Sequence, residues 1–165
     1  MIQPIHHTFG PHVTFGYWAQ SVRVLLQPWK WKNGKAREQL RTTLQEHFEG
    51  NTFLFGSGRE SLLALFRSLQ LESGAEIIIQ GYTCIALPNA IHAAGCTAVY
   101  ADCTLENLNM DASAVERVIT TRTRAILCQH TFGIPAEIVK LRALCTQKNI
   151  MLIEDLAHSL SLIHI

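Results

Sequence analysis

Short uninterrupted apolar runs alternate along this chain with stretches in which apolar side chains recur every three or four positions. The first sets the period of buried strands and the second that of helices with one packed face. From Lys35 to Phe48, Leu40, Leu44 and Phe48 share a face at i, i+4 and i+8, predicting an amphipathic helix ended by Gly50. A short strand is expected over Thr52–Phe55. Gly56-Ser57-Gly58 then leads into Arg59–Leu71, where Leu62, Leu65, Phe66 and Leu69 form a helical stripe. The alternation repeats with a strand at Glu76–Gln80 and a helix near Ile85–Ala94 closed by Gly95. A strand follows at Thr97–Asp102, then a helix at Ala112–Ile119 capped by Asp111. Next come a strand at Ala125–His130, a helix at Ala136–Lys148 and a strand at Ile150–Glu154. Strands that are apolar throughout, interleaved with amphipathic helices, predict an α/β fold: a mostly parallel sheet sandwiched by helices. Residues 1–33 lack sustained periodicity. Their Phe, Trp, Pro and His residues read as an arm that packs on something else.

Composition narrows the classes further. The chain has 165 residues, 48% of them hydrophobic and 16% charged, enough for one sizeable core and too apolar for a disordered segment. Its net charge of +1 gives no global attraction to nucleic acid or to an anionic membrane, although Lys30, Lys32, Lys35 and Arg37 lie close together. Trp29-Lys30-Trp31-Lys32 mixes aromatics with cations, and a packed arm or subunit contact explains it more economically than a membrane or a nucleic acid does. Cys84, Cys96, Cys103, Cys128 and Cys145 are an odd, scattered set without a C-x-x-C pair, as in proteins whose thiols stay reduced. No signal-peptide pattern opens the chain, and no apolar stretch approaches the roughly 18 residues of a membrane span. A cytoplasmic protein without nucleic-acid or membrane partners is expected.

Three places carry candidate chemistry. Gly56-Ser57-Gly58-Arg59-Glu60-Ser61 joins a strand to a helix N-terminus, where unpaired backbone NH groups and the helix dipole favour a phosphate and Ser57 adds a hydroxyl. Equally, the glycines serve a tight connection alone. The match to a dinucleotide fingerprint is poorer, because Ser61 takes the third glycine position and the next strand ends at Gln80 rather than on an acidic residue. Asp155 ends an apolar strand, where a buried carboxylate needs a cation such as a protonated pyridine nitrogen, or else simply caps the segment that follows. His158 and His130 each read either as ligand contacts or as satisfied core histidines. His6, His7 and His12 have no zinc-site context, so no metal is expected.

Taken in order, these segments resemble the N-terminal part of the DegT/DnrJ/EryC1/StrS family of sugar aminotransferases, pyridoxal-phosphate (PLP) enzymes of fold type I. The resemblance is carried by Phe55-Gly56-Ser57-Gly58-Arg59-Glu60-Ser61-Leu62, by Glu76-Ile77-Ile78-Ile79-Gln80-Gly81-Tyr82-Thr83-Cys84, and by Pro88-Asn89-Ala90-Ile91. Gly95-Cys96-Thr97-Ala98-Val99-Tyr100-Ala101-Asp102, Ile119-Thr120-Thr121-Arg122-Thr123-Arg124-Ala125-Ile126, His130-Thr131-Phe132-Gly133-Ile134-Pro135-Ala136 and Ile153-Glu154-Asp155-Leu156-Ala157-His158 complete it.

The resemblance implies that Ser57, Gly58, Arg59 and Glu60 form the turn that binds the cofactor phosphate, that Asp155 pairs with the pyridine nitrogen, and that His158 lies near the phenolic oxygen. Cys84 stands where many relatives carry an aromatic that stacks on the ring; stacking is then absent, replaced by a thiol contact, or supplied by Tyr82. It also implies a keto sugar attached to a nucleotide as amine acceptor, glutamate as the usual donor, and a homodimer. On this reading residues 1–33 are an arm and 34–159 the N-terminal part of an incomplete PLP-binding large domain. The Schiff-base lysine of the family lies downstream of the Asp155 motif, and no lysine follows Lys148 here. The expectation is therefore a truncated fragment, inactive alone, of an active parent. The alternative is a non-catalytic PLP-binding or regulatory homologue. Residues 160–165 resemble the translation of a transposon-end adapter used in preparing sequencing libraries, and are expected to be a non-native tail.

Overall fold

A computed structural model describes residues 14–31 and 35–158. The expectations for residues 160–165 and for His6, His7 and His12 fall outside these. The chain divides into two units, before and after the Leu54/Phe55 junction.

In the first unit, helix α1 (Phe15–Leu25) begins at Thr14, whose hydroxyl accepts the Tyr17 NH at 3.2 Å. A 3₁₀ turn (Pro28–Lys30) follows, and the Trp31 indole NH donates to the Val24 carbonyl at 2.8 Å. Helix α2 spans Lys35–Phe48, as its stripe predicts. The helix α1 escapes the periodicity reading because aromatics crowd both faces, although Phe15, Trp18, Val22 and Leu25 do fall at i, i+3, i+7 and i+10. The strand expected over Thr52–Phe55 does not form. A strand needs a neighbour to complete its hydrogen bonds, and none of the strands in the sheet pairs with this segment.

The second unit begins with helix α3 (Gly58–Ser68) and continues through β1 (Glu76–Gln80), α4 (Ala86–Ala93), β2 (Thr97–Ala101), α5 (Ala112–Val118), β3 (Thr123–Gln129), α6 (Ile138–Lys148) and β4 (Met151–Asp155). All three pairings are parallel, in the order β2-β1-β3-β4. Each strand therefore needs a crossover to reach the next, and the helices supply it, covering both faces. Side chains alternate across the sheet. Ile77 and Ile79 of β1 with Leu127 of β3 face one side, where they meet Phe66 of α3 and Leu87 and Ile91 of α4. Ile78 with Ile126 and Cys128 faces the other, against Val115 of α5 and Leu141 of α6. Burying each such aliphatic side chain contributes about 1.5–3 kcal/mol. The local stops are those expected: Asp111 accepts the Ala114 NH at 2.6 Å to start α5, and Gly95, at φ +82°, closes α4. Burial of Cys128 beneath α6 pushes its thiol up to about 12, as befits a packing residue.

At the amino edge of the sheet the Glu76 carboxylate is buried but fully met. It accepts hydrogen bonds from the Thr120 and Thr123 hydroxyls and pairs with Arg122 at 2.6 Å. The Thr120 hydrogen bond first, then Arg122, holds its pKa below the ordinary 4.5. A depressed folded-state pKa means that this stabilisation is complete above the unfolded value and is lost as pH falls through the folded one. Glu76→Gln is therefore expected to lower stability at neutral pH and to flatten the acid limb below about pH 4.5, read as urea midpoint against pH.

Candidate functional site

A helix start leaves its first NH groups without intrahelical acceptors. At α3 one of them is met by the cap, Ser57 Oγ accepting the Glu60 NH at 3.3 Å, while Glu60 Oε2 reaches back to the Gly56 NH just before the cap at 3.1 Å. Among the described residues, the NH groups of Ser57, Gly58 and Arg59 have no acceptor, and the Ser57 hydroxyl proton is not committed. A methyl placed on Gly58 would meet nothing within 4 Å, so the space over the helix start is open. This cradle of donors at the positive end of an eleven-residue helix suits a phosphate. Arg59 is exposed and, among the described residues, pairs with no acid. Removing the cap in Ser57→Ala is expected to destabilise the fold by about 1 kcal/mol, checked by urea denaturation.

The helix ends at Ser68, and residues 69–75 lead into the start of β1; a helix that returns its chain to the start of a parallel strand runs antiparallel to that strand, an arrangement that directs its amino end toward the carboxyl edge. Open parallel sheets bind ligands at that edge. Asp155 closes β4 there, opposite Gln129 in register. Strand alternation puts it on the same face as Ile153, the face that α3 and α4 cover. Its Oδ1 accepts the Ala157 NH at 3.0 Å; among the described residues no cation pairs with it. The adjacent carboxylate parts from it. Glu154 falls on the α5/α6 face, 3.4 Å from His130 Nε2 and 3.5 Å from Arg142. His130 is buried, accepts the Ala136 NH at Nδ1 (3.1 Å) and is a satisfied core histidine.

The segments after β1, β3 and β4 meet through aromatic rings. Tyr82 lies 6.2 Å from Phe132, and Phe132 lies 5.9 Å from His158 with the two rings 6° from parallel. The Phe132 NH donates to His158 Nδ1 at 3.3 Å. Phe132 takes φ +53°, a left-handed backbone that costs a non-glycine residue roughly 1–2 kcal/mol.

Buried amides hold these segments. Gln80, fully buried at the end of β1, shares the two hydrogens of its Nε2 among the Tyr82 carbonyl (2.8 Å), the Thr131 hydroxyl (2.7 Å) and the Leu108 carbonyl (3.2 Å). Asn109 accepts the Thr131 NH at 2.8 Å, and the Thr83 hydroxyl donates to Gln129 at 2.7 Å. Cys84, next to Thr83, is exposed with a free thiol. Sequence reasoning missed Gln80, Gln129, Asn109, Thr131 and Phe132. Gln80 and Gln129, polar residues ending apolar strands, were the available signal.

Among the described residues no cluster of three or more His, Cys, Asp or Glu side chains is placed to hold a metal, and no helix is long and apolar enough to cross a membrane.

The sequence profile of the DegT/DnrJ/EryC1/StrS aminotransferase family matches residues 18–164. The chain belongs to this family. Within it, the chain is 32% identical over 115 residues to GDP-perosamine synthase of Escherichia coli O157:H7, covering 70% of this chain and 31% of that protein. It is 35% identical over 103 residues to dTDP-3-amino-3,4,6-trideoxy-alpha-D-glucose transaminase of Streptomyces venezuelae, covering 62% and 27%. The solved aminotransferase of Psychrobacter cryohalolentis superposes with a TM-score of 0.82 at 26% identity, over 92% of this chain and 39% of that one. The chain thus spans about a third of the length of the relatives it matches. These two relatives are named for a GDP-linked and a dTDP-linked amino sugar, and solved proteins of this fold hold PLP or PMP.

Proposed function

We propose that this chain supplies the cofactor-gripping part of a PLP-dependent aminotransferase whose amine acceptor is a keto sugar attached to a nucleotide and whose usual donor is glutamate. The observation that carries the reading is the open donor cradle at the start of α3, a helix packed on the face of the sheet to which strand alternation assigns Asp155. The residues fit the group. The NH groups of Ser57, Gly58 and Arg59 and the Ser57 hydroxyl hold the phosphate, while Glu60 keeps the turn closed. Asp155, with one oxygen uncommitted among the described residues, would pair with the ring nitrogen and keep it protonated. Tyr82 or the Cys84 thiol would be the contact on the ring, and His158 the one near its phenolic oxygen. When bound, PLP supplies the electron sink for the carbanion left when an amine loses its α proton. The lysine that shuttles that proton is assigned to the full-length protein downstream of His158, so residues 1–165 alone are inactive on this reading. The full-length protein works as a cytoplasmic homodimer.

Mixing the full-length protein with PLP tests this. An imine absorption band that borohydride converts to a stable adduct is the expected result. PLP that binds without being trapped identifies a non-catalytic homologue instead, and failure to retain PLP at all overturns the assignment.

A further inference from the structure

A neutral imidazole carries one proton, and the hydrogen bond made by one ring nitrogen decides which nitrogen holds it. At His158 the Phe132 backbone NH points at Nδ1 from 3.3 Å. An amide NH can only donate, so Nδ1 must present its lone pair and the proton must sit on Nε2. The Phe132 ring is stacked with the imidazole, 6° from parallel, which opposes the ring flip that would put Cδ2 in place of Nδ1. Phe132 presents that NH from a left-handed backbone, φ +53°. An aromatic residue gains nothing locally from such a conformation. Gln80 and Asn109 keep the turn in place by holding the Thr131 hydroxyl and NH.

We infer that Phe132 is a positioning residue whose backbone NH, presented from a left-handed turn, holds His158 in the Nε2–H tautomer, so that whatever meets Nε2 is offered a proton rather than a lone pair. The consequence for the ligand rests on the aminotransferase reading: a donor suits a phenolate oxygen and repels nothing on it. The tautomer itself does not depend on that reading.

The test uses ¹⁵N-histidine-labelled full-length protein without PLP, at a pH where the ring is neutral. Long-range ¹H–¹⁵N correlation of His158 is assigned by its disappearance in His158→Gln. The expected spectrum has a pyridine-type Nδ1 and a pyrrole-type Nε2. Phe132→Gly, which keeps the NH and favours φ > 0, is expected to retain that pattern. Phe132→Val, whose branched side chain resists φ > 0, is expected to move both nitrogens toward the averaged shifts of two exchanging tautomers. A reversed or averaged pattern in the wild-type protein overturns the inference, as does an unchanged pattern in Phe132→Val. Because no cofactor is added, such a result leaves the PLP assignment standing, and a failure to bind PLP leaves the tautomer result standing.

Discussion

Asp155→Ala in the full-length protein is expected to lower kcat for amino transfer by roughly a hundred- to a thousandfold, the range found when one preorganised electrostatic partner is removed from an active site. On the proposed reading Asp155 acts by charge: an anion beside the ring nitrogen holds it protonated, and a protonated ring draws electrons from the substrate carbon. Asp155→Asn keeps the shape and loses the charge, so it should fall in the same direction. Glu154→Gln is the internal control. Glu154 is one residue away in sequence but on the opposite face of the sheet, near His130 and Arg142, and its substitution should leave kcat essentially unchanged. Steady-state kinetics on the three variants, with the PLP content of each measured, checks this. Equal losses at positions 154 and 155 would mean that strand alternation does not separate their roles.

Phe66→Ala carries the largest expected loss of stability, about 3–5 kcal/mol, from lost transfer energy and the cavity left behind. Phe66 is 1% exposed in the cluster with Ile77, Ile79, Leu87 and Ile91, where α3 and α4 rest on the sheet. Since a domain's whole stability is about 5–15 kcal/mol, this one truncation removes a large share. It also loosens the helix whose amino end forms the proposed phosphate cradle. Urea unfolding of the full-length variant should show the drop in midpoint, and its PLP affinity should weaken with it. A loss under about 1 kcal/mol would place Phe66 outside a packed core.

Much of this architecture is legible before any coordinates. The runs at Glu76–Gln80 and Thr123–Gln129 have unbroken apolar centres, Ile77-Ile78-Ile79 and Ala125-Ile126-Leu127-Cys128, because both sheet faces are covered. The cap at Asp111 and the turn at Gly95 are local, so the residues that make them sit next to each other in sequence. Elsewhere the signal is non-local. Thr52–Phe55 has strand composition, but a ladder depends on a neighbour that composition does not reveal. In α1 the aromatics that build the apolar stripe also crowd the opposite face.

The site divides in the same way. Ser57 and Asp155 stand out because glycine turns and strand-end carboxylates are rare and local. Gln80 binding Thr131, and Thr83 binding Gln129, join residues 51 and 46 positions apart, and no spacing rule connects them. Nor does the sequence announce a left-handed Phe132, since aromatics seldom adopt that backbone.

A crystal structure of the full-length protein soaked with PLP tests the central proposal most directly. The account predicts one PLP with its phosphate on the NH groups of Ser57, Gly58 and Arg59 and its ring nitrogen against the Asp155 carboxylate. Phosphate density away from the start of α3, or a ring nitrogen facing any group other than Asp155, would contradict it.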